Sequence, residues 1–517
     1  MSSGMKFENP TEIEEEVLLN GFSLPEITEG NVGPITQKIR SATEAYRRSG
    51  KDPMEAIYEA NRRWSDPNYE RREEAFPPLS QTTGFSPQML TLCFRPFSWD
   101  LKSAIGFESS RLSDLNTDRE IESGTRIETP DGFIVVNHDA PINRRSREPE
   151  TVANIAFGNL PAYDALGLVT ALSIPNFGGR LPSQLYKVAA QQPVMVPLYL
   201  ETLEEIDPEL RSTIFAGYWK GGDPVVEEEI FRNSDVILPF GKTEHIEDIR
   251  RRAKPGIGIR RGIRLKGPYV VTRHSTKWGE GLHSGDFDYD DGLLYAFDAA
   301  AFYGLACSNL KRLTVIGSPR EAQRVAECLG EAMEETVSKL GTIQNQEFSI
   351  AVGADVHRWS RHLDGLDGSV IFKPERGLGY VVAYLESSQD ISPLGKGVGI
   401  IVNAVDSEEE FLSRIYEGDS ERKQALSTNI RDLGLLERLT EAGYTSIGFP
   451  GSIPFSEPGP HDGQVDSVDI LYGNPTGARL SKIEFSEDPR YLKRRNLGRL
   501  FRYFGIGEEP TYFKKDK

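Results

Sequence analysis

The sequence predicts an α/β protein in which two parallel α/β units follow an N-terminal helical segment. In the first unit, strand-like runs at 151–156 and 214–219 alternate with helix-like runs at 165–174 and 225–231. Such alternation is typical of parallel sheets, whose strands are joined by helices. The chain has 517 residues, which is too long for one compact core and favours two or three domains.

The second unit shows the same alternation. Strand-like runs lie near 370–373, 381–385 and 399–405, and helix-like runs follow at 407–416 and 433–442. Between the two units, the acidic loop from Asp286 to Asp291 lacks the Gly and the final Glu of a calcium-binding hand. We therefore expect an ordinary loop and a helix start there.

The N-terminal region divides into two parts. The first part is rich in Glu with scattered Pro and Gly, which indicates a loosely held arm. In the second part, apolar residues such as Ile39, Ile57 and Trp64 recur at helical spacing, and Ser86 before Pro87 predicts a helix start. The predicted segments are a flexible arm at 1–34, a helical layer at 35–99, the first unit at 100–280, the second unit at 281–450, and a C-terminal return segment and tail at 451–517.

Composition excludes several classes of protein. The net charge of −18 gives no support for a nucleic-acid-binding face. Three cysteines without a CxxC pair indicate a reducing compartment and no thiolate zinc site. The polar, acidic start differs from a signal peptide, and no uninterrupted apolar run is long enough to span a membrane. These features predict a cytoplasmic protein that binds no nucleic acid and has no membrane span.

One cysteine, Cys307, lies between a helix-like apolar run at 293–302 and a strand-like run at 313–315. A thiol at the end of a buried helix can be fixed in position and still open to a cleft. Taken alone, this pattern is more typical of a small core residue than of a nucleophile.

Other patterns bear on ligands. No GxGxxG follows a predicted strand, so a bound nucleotide needs another way to hold its phosphates. The helix starts at Gly221-Gly222 and at Gly241-Lys242 are the candidates, because free backbone N–H groups there attract anions. His357 and His362 lie in a loop-like stretch without metal-ligand spacing, and we predict no metal site.

Several motifs occur in a characteristic order. They are Thr83–Met89 (TGFSPQM), Gly158–Pro161 (GNLP), Tyr218–Asp223 (YWKGGD), Ser234–Gly241 (SDVILPFG), the cysteine after a hydrophobic helix, and Pro460–Gly463 (PHDG). Each motif is weak alone, but the ordered set resembles the LuxC-type acyl-CoA reductase family of the aldehyde dehydrogenase superfamily over residues 35 to 473. The resemblance implies an aldehyde dehydrogenase-like fold with two Rossmann-like α/β domains, the first binding NAD(P)H and the second carrying the cysteine.

The resemblance also implies a reaction. Cys307 matches the family nucleophile, which attacks an acyl thioester and holds the acyl group until a nicotinamide delivers hydride. Asn159 matches the asparagine that stabilises the oxyanion, although without the resemblance it is a turn residue before Pro161. His461, which precedes an Asp, is either a proton donor to the leaving thiolate or aldehyde, or a loop histidine that caps backbone.

The implied cofactor is NADPH or NADH. The superfamily usually has a Lys before the Pro-Ser of its cofactor strand, but Leu181 precedes Pro182 and Ser183 here. Arg180 could instead meet a 2′-phosphate, which would favour NADPH. The residues expected to contact the cofactor are Gly158, Pro161, Arg180, Pro182, Ser183, Gly221, Gly222, Phe240, Gly241 and Lys242.

The sequence departs from the family pattern in two further places. Leu305-Ala306 replaces the usual Gln-Gly before the cysteine, and no Glu occurs between Gly262 and Thr272, where oxidising relatives hold a general base. A reductase has no need to activate water in this way.

Three functions remain open at this point: an acyl-CoA or acyl-protein reductase that makes an aldehyde, an aldehyde dehydrogenase that makes an acid, and a non-catalytic subunit that channels acyl groups. The expected partners are an acyl-CoA substrate, an acyl-activating partner similar to an acyl-protein synthetase, and further copies of the chain in a homo-oligomer.

Overall fold

The structure is a computed structural model. It describes residues 16–98, 123–129, 132–137, 149–156, 158–241, 243–253, 258–260, 263–265, 269–270, 273–274, 278–374, 379–386, 391–392, 394–417, 423–455 and 479–507.

The α-helices are α1 Glu29–Ser49, α2 Pro53–Ser65, α3 Glu70–Thr83, α4 Pro87–Cys93, α5 Tyr163–Leu172, α6 Met195–Ile206, α7 Pro208–Arg211, α8 Pro224–Asn233, α9 Thr243–Arg252, α10 Tyr289–Ala300, α11 Pro319–Leu340, α12 Gln346–Asp364, α13 Glu408–Glu417, α14 Leu433–Glu441 and α15 Pro489–Phe504. Short 3-10 segments lie at Arg95–Ser98, Ile174–Phe177, Ala301–Gly304 and Ile453–Phe455.

The strands are β1 Glu16–Leu19, β2 Phe22–Pro25, β3 Thr125–Thr129, β4 Gly132–Asn137, β5 Thr151–Ile155, β6 Ser183–Lys187, β7 Ile214–Gly217, β8 Val236–Gly241, β9 Gly258–Arg260, β10 Ile263–Leu265, β11 Tyr269–Val270, β12 Arg273–His274, β13 Trp278–Ser284, β14 Leu310–Ile316, β15 Val370–Phe372, β16 Tyr380–Tyr384, β17 Val398–Val405, β18 Lys423–Thr428, β19 Ser446–Gly448 and β20 Arg479–Glu484.

The first large sheet is parallel. Its strand order is β11-β8-β5-β6-β7, and β12 also pairs with β8. Strands β5 to β7 are almost wholly buried, as expected for a sheet that is covered by helices on both faces. Because the strands run the same way, the loops after β5, β6, β7 and β8 all leave from one edge.

The second large sheet has the order β15-β16-β17-β14-β13-β18-β19-β20-β4-β3. In this order, all neighbouring strands from β16 through β17, β14, β13, β18 and β19 to β20 are parallel. Strand β15 at one end, and β4 and β3 at the other, pair antiparallel. Helix α10 is buried along Asp291–Ala300 and leads into β14 near the middle of this sheet. The cysteine that follows α10 is therefore placed by the most central part of the second unit.

The helical layer is anchored on the first unit by aromatic side chains. The Trp64 indole of α2 is fully buried and donates a hydrogen bond to Thr202 Oγ1 of α6 at 3.0 Å. Its ring lies 5.7 Å and 5.8 Å from the rings of Phe94 and Phe97. The predicted helix start at Ser86 is confirmed, since its hydroxyl accepts a hydrogen bond from the backbone N–H of Met89.

Three regions differ from the sequence expectations. Residues 16–34, expected within a flexible arm, form the β1–β2 hairpin and the start of α1, because Phe22 and Leu24 are buried and the chain pairs with Tyr218 beyond β7. Strands β3 and β4, expected in the first unit, pair with β20 and so extend the second sheet. The stretch with His357 and His362, expected as a loop, lies in α12, whose Val352, Val356 and Trp359 form a buried stripe.

None of the helices in the described part of the chain is both long and apolar enough to cross a membrane.

The pairing of β4 with β20 predicts the effect of a small substitution at Gly132. A Cβ at Gly132 would lie 2.0 Å from the Ile483 carbonyl oxygen, and its φ of +149° disfavours other residues. We expect Gly132→Ala to lower the free energy of unfolding by at least about 2 kcal/mol in urea titration. Gly124→Ala is the matched control, because Gly124 has a φ of +88° but open space around it, so that about 1 kcal/mol is expected. Equal losses in both variants would contradict this strand pairing.

Candidate active site

Cys307 lies in the turn between α10 and β14. Its side chain is half-buried, whereas Cys93 is fully buried in the helical layer. The preceding residues Phe302, Tyr303 and Gly304 have φ values of 55°, 51° and 69°. Left-handed backbone is unfavourable for bulky residues, so Phe302 and Tyr303 are strained four to five residues before Cys307.

Buried hydrogen bonds from Asn309 hold the turn in this conformation. The side-chain amide of Asn309 donates to the carbonyl oxygens of Asp298 and Ala301, both at 2.9 Å. Its Oδ1 accepts the Ala306 N–H at 2.7 Å. One side chain thus joins the end of α10 to the residue before Cys307.

A buried lysine holds the same turn from the strand side. Lys311 Nζ donates to the carbonyl oxygen of Gly304 at 2.8 Å and to that of Gly397 at 3.0 Å. Burial lowers the Lys311 pKa to about 8. Gly304 must be glycine here, because a Cβ would lie 2.4 Å from the Gly397 carbonyl oxygen.

Asn159 reaches the Cys307 turn from the other unit. It lies in the loop between β5 and α5, and its Nδ2 donates a hydrogen bond to the Leu305 carbonyl oxygen at 2.9 Å. The two residues are 146 positions apart in the chain. The second N–H of the amide is not used by this bond, because a side-chain amide carries two donors.

Helix α5 adds Tyr163 and Asp164 beside this turn. Burial raises the Tyr163 pKa well above its usual value, the sulfurs of Cys93 and Cys307 add to the rise, and the Arg95 guanidinium opposes it. The Tyr163 hydroxyl is therefore a neutral donor within electrostatic range of Cys307. Burial also raises the Asp164 pKa to about 8, against the hydrogen bond from the Ala165 N–H.

Most of the predicted cofactor residues lie along one edge of the first sheet. Gly158 and Pro161 follow β5, Gly221 and Gly222 follow β7, and Phe240 and Gly241 end β8. In parallel α/β sheets, ligands bind outside the carboxyl ends of the strands, which is this edge. Of the residues that the structure describes, only His245 would come near a Cβ at Gly241, at 3.8 Å, which leaves room for a ligand beside this backbone.

Lys187, which the sequence reasoning missed, ends β6 at the same edge. Its Nζ lies 5.2 Å from the Trp219 ring centroid and 2.9 Å from where a Cβ on Gly221 would stand. Burial lowers the Lys187 pKa, while the Glu227 carboxylate raises it. The signal that could have found Lys187 is a lone lysine at the end of a buried strand, Leu185-Tyr186-Lys187.

The start of α8 is a poorer anion site than expected. The Gly222 N–H is donated to Glu227 Oε1 at 3.1 Å, and Asp223 Oδ1 accepts the N–H groups of Val225 and Val226. Carboxylates therefore occupy the backbone donors that a phosphate would need. The start of α9, after Gly241, is the remaining candidate.

Arg180, Pro182 and Ser183 do not join this edge, which corrects the sequence expectation. Ser183 begins β6, and its hydroxyl donates to the Glu150 carbonyl oxygen beside the start of β5. These residues therefore lie at the amino edge of the sheet, opposite Lys187. A lysine, Lys187, lies instead at the other end of the same strand.

Two predicted residues, His461 and Lys242, lie outside the described residues. The acidic loop is confirmed as a helix start: Asp288 Oδ1 accepts the Asp291 N–H at 2.9 Å, and Lys493 Nζ contacts both carboxylates. Within the described ranges, no three His, Cys, Asp or Glu side chains are grouped closely enough to hold a metal ion.

Comparisons with known proteins agree with this architecture. Among solved structures, aldehyde dehydrogenase 21 from Physcomitrella patens has a TM-score of 0.62 at 12% identity, covering 92% of this chain and 97% of that chain. A putative aldehyde dehydrogenase, PutA, from Anabaena variabilis has a TM-score of 0.57 at 12% identity, covering 92% and 99%. A benzaldehyde dehydrogenase from Corynebacterium glutamicum has a TM-score of 0.55 at 15% identity, covering 93% and 95%. At these identities the likeness shows the aldehyde dehydrogenase fold.

The family model for acyl-CoA reductase (LuxC) matches residues 51–471. The chain belongs to the LuxC acyl-CoA reductase family. It is an oxidoreductase that reduces an acyl thioester to an aldehyde. Neither the oxidising aldehyde dehydrogenase nor the non-catalytic channelling subunit is favoured by this finding. No curated protein matches the chain.

The helix α10, which precedes the Cys307 turn of this acyl-CoA reductase, also holds a buried carboxyl group, Asp298. Its Oδ2 accepts the Ser427 hydroxyl at 2.6 Å and the Gly451 N–H at 2.9 Å, which joins α10 to β18 and to the loop after β19. Among the described residues, none makes a well-formed hydrogen bond with its buried Oδ1. Burial raises the Asp298 pKa to about 7, against the Ser427 hydroxyl and the N–H groups of Gly451 and Ile453.

This pKa predicts a pH dependence of stability. In the unfolded chain the carboxyl loses its proton near pH 3.9, roughly, whereas the folded chain keeps the proton until about pH 7. Between these values the folded state binds more protons, so stability falls as pH rises, by up to about 1.4 kcal/mol per pH unit. Urea unfolding of the wild type and of Asp298→Asn at pH 5, 6 and 7 should show this extra slope in the wild type only. Parallel pH curves for the two proteins would contradict it.

Proposed function

We propose that this acyl-CoA reductase works through a covalent thioester on Cys307, with a nicotinamide dinucleotide bound at the carboxyl edge of the first sheet. The observation that carries the proposal is the 2.9 Å hydrogen bond from Asn159 to the Leu305 carbonyl. It joins Asn159 of the first unit to the turn of the second unit that carries Cys307, two residues before the cysteine. The same contact supports a cofactor at the carboxyl edge of the first sheet, because Asn159 follows β5 at that edge.

In the first step, the Cys307 thiolate attacks the carbonyl carbon of the acyl thioester. The carbonyl oxygen becomes an oxyanion, and the second N–H of Asn159 is available to donate a hydrogen bond to it. The oxyanion then collapses, the carrier thiolate leaves, and the acyl group remains bonded to the Cys307 sulfur. The strained, hydrogen-bonded turn keeps that sulfur in position through both events.

The second half-reaction releases the product. A bound nicotinamide supplies the hydride that converts the acyl carbon to the oxidation level of an aldehyde. When the aldehyde leaves, the carbon–sulfur bond breaks and Cys307 returns to the thiolate. The Tyr163 hydroxyl is a neutral donor near this thiolate, and His461 stays a predicted proton donor to the carrier thiolate or the aldehyde oxygen.

The residues at the carboxyl edge fit a dinucleotide. Lys187 supplies a buried ammonium group, which would bind an anionic or polar group of the ligand. The start of α9 supplies backbone N–H groups that can bind a phosphate. Arg180 no longer argues for NADPH, because it lies at the opposite edge. Either NADPH or NADH is therefore the proposed hydride donor.

Several expectations from the sequence stay predictions. They are a cytoplasmic location, an acyl group delivered on a protein instead of coenzyme A, an acyl-activating partner, and assembly into a homo-oligomer.

Kinetics of Cys307 and Asn159 variants test the mechanism. With acyl-CoA and NADPH or NADH, followed by nicotinamide absorbance, Cys307→Ala should abolish turnover. Asn159→Ala should lower kcat by about 10²-fold to 10³-fold, because one oxyanion donor is lost. Cys328→Ala is the control, since Cys328 lies on α11 outside the turn, and it should retain activity. Turnover by Cys307→Ala at the wild-type rate would exclude the covalent mechanism.

A lysine variant tests the cofactor edge. Lys187→Met should raise the KM for the nicotinamide by about tenfold, which corresponds to about 1.4 kcal/mol, with less effect on the KM for acyl-CoA. The control is Lys220→Met, which removes an exposed lysine two residues before Gly222. Similar KM values for Lys187→Met and the wild type would place the cofactor elsewhere.

A further inference from the structure

A cleft opens at the amino edge of the first sheet. It lies between the C-terminal end of α1, the start of α2 and the loop that leads into β6, and its volume is about 810 Å³. This volume lies within the range of small-molecule sites, which is about 300–1,000 Å³. Arg180, which the sequence analysis assigned to the cofactor, is one of its lining residues.

The two walls of the cleft are tied together by Arg47 of α1. Its Nε donates to the Leu181 carbonyl oxygen at 2.7 Å, and Nη2 donates to the same oxygen. Both walls are thereby held at a fixed separation. The cleft is a feature of the folded unit and not of a single loop.

Arg48 and Arg180 face this cleft from opposite walls. Both side chains are exposed, and neither guanidinium makes a hydrogen bond or ion pair with any residue that the structure describes. The remaining lysine, Lys51, is paired with Asp207 at 3.6 Å and Glu209 at 3.1 Å. Two arginines are therefore available to an anion.

Of the carboxylates that line the cleft, Asp52 caps α2 by accepting the Met54 N–H at 2.9 Å, and Glu44 is exposed on α1. The chain as a whole is acidic, with 78 acidic against 60 basic residues. A guanidinium is a planar fork that binds a phosphate or carboxylate through two hydrogen bonds, and two forks on opposite walls suit a ligand with two anionic groups.

We propose that this cleft binds a small molecule with two or more phosphate groups, held between Arg48 and Arg180. Inorganic pyrophosphate and nucleoside polyphosphates share this chemistry. The site is separate from the reaction centre, because Ser183 and Lys187 at the two ends of β6 are themselves about 13 Å apart along the strand. The inference goes beyond the proposed reduction and does not depend on it.

Titration calorimetry of the full-length protein, without nicotinamide or acyl-CoA, tests the proposal with pyrophosphate, ATP and citrate as probes. We expect pyrophosphate or ATP to bind, and the double variant Arg48→Gln/Arg180→Gln to weaken binding at least tenfold. Glu44→Gln should tighten binding two- to threefold, because it removes the exposed carboxylate. Binding of ATP but not pyrophosphate would assign part of the recognition to the nucleoside, and the reverse would assign it to the phosphates alone.

Charge-matched variants away from the cleft are the controls. On α8, Glu228→Gln changes the net charge by the same amount as Glu44→Gln, and Arg232→Gln removes one positive charge, as each half of the double variant does; both should leave the dissociation constants unchanged. Binding should also persist in Lys187→Met, which separates the cleft from the cofactor edge. The proposal is overturned if neither phosphate probe binds at millimolar concentration, if Arg232→Gln weakens binding as much as the double variant, or if citrate binds as tightly as the phosphates.

Discussion

The hydrogen bonds of Asn309 are the constraint on which the candidate site depends. Phe302, Tyr303 and Gly304 have left-handed backbone shortly before Cys307, and this conformation costs roughly 1 kcal/mol or more for each of the two aromatic residues. Asn309 offsets this cost by satisfying the carbonyl oxygens of Asp298 and Ala301 and the N–H of Ala306, all buried. A buried side chain whose polar atoms are all hydrogen-bonded stabilises one conformation of the turn over its alternatives. That conformation determines the position of the Cys307 sulfur.

The direction of the parallel strands explains how the two units combine into one site. In the first sheet, every loop that follows a strand leaves from the same edge. Asn159, Lys187 and Gly241 therefore lie along one edge although they are far apart in sequence. The turn of the second unit that carries Cys307 lies at that edge. The Asn159 amide is the contact that links the edge to the turn. The amino edge of the first sheet is correspondingly free for another role, and Arg180 lies there.

Local patterns were enough to predict much of the fold. The alternation of apolar runs predicted β5, β7, α5 and α8, and the Ser86-Pro87 pair predicted the start of α4. Cys307 and Asn159 were identified by the order of motifs, and the structure brings their loops together.

Other features depend on tertiary packing. Lys187 was missed because the Pro182-Ser183 pair suggested a motif at the start of β6, and only the strand direction shows that the other end of β6 lies at the carboxyl edge of the sheet. Helix α12 was missed because its polar residues outnumber the buried stripe formed by Val352, Val356 and Trp359. The β1–β2 hairpin was missed because the segment is held by contacts near β7, almost 200 residues away in the chain.

The central claim is that the acyl group passes through the Cys307 sulfur. Mass spectrometry of the intact protein, after exposure to acyl-CoA of several chain lengths without nicotinamide, tests it most directly. The account predicts a mass increase of one acyl group that peptide mapping assigns to Cys307 and that hydroxylamine removes. An unmodified protein that nevertheless reduces the same acyl-CoA once nicotinamide is added, or an adduct on Cys93 or Cys328 instead, would contradict it.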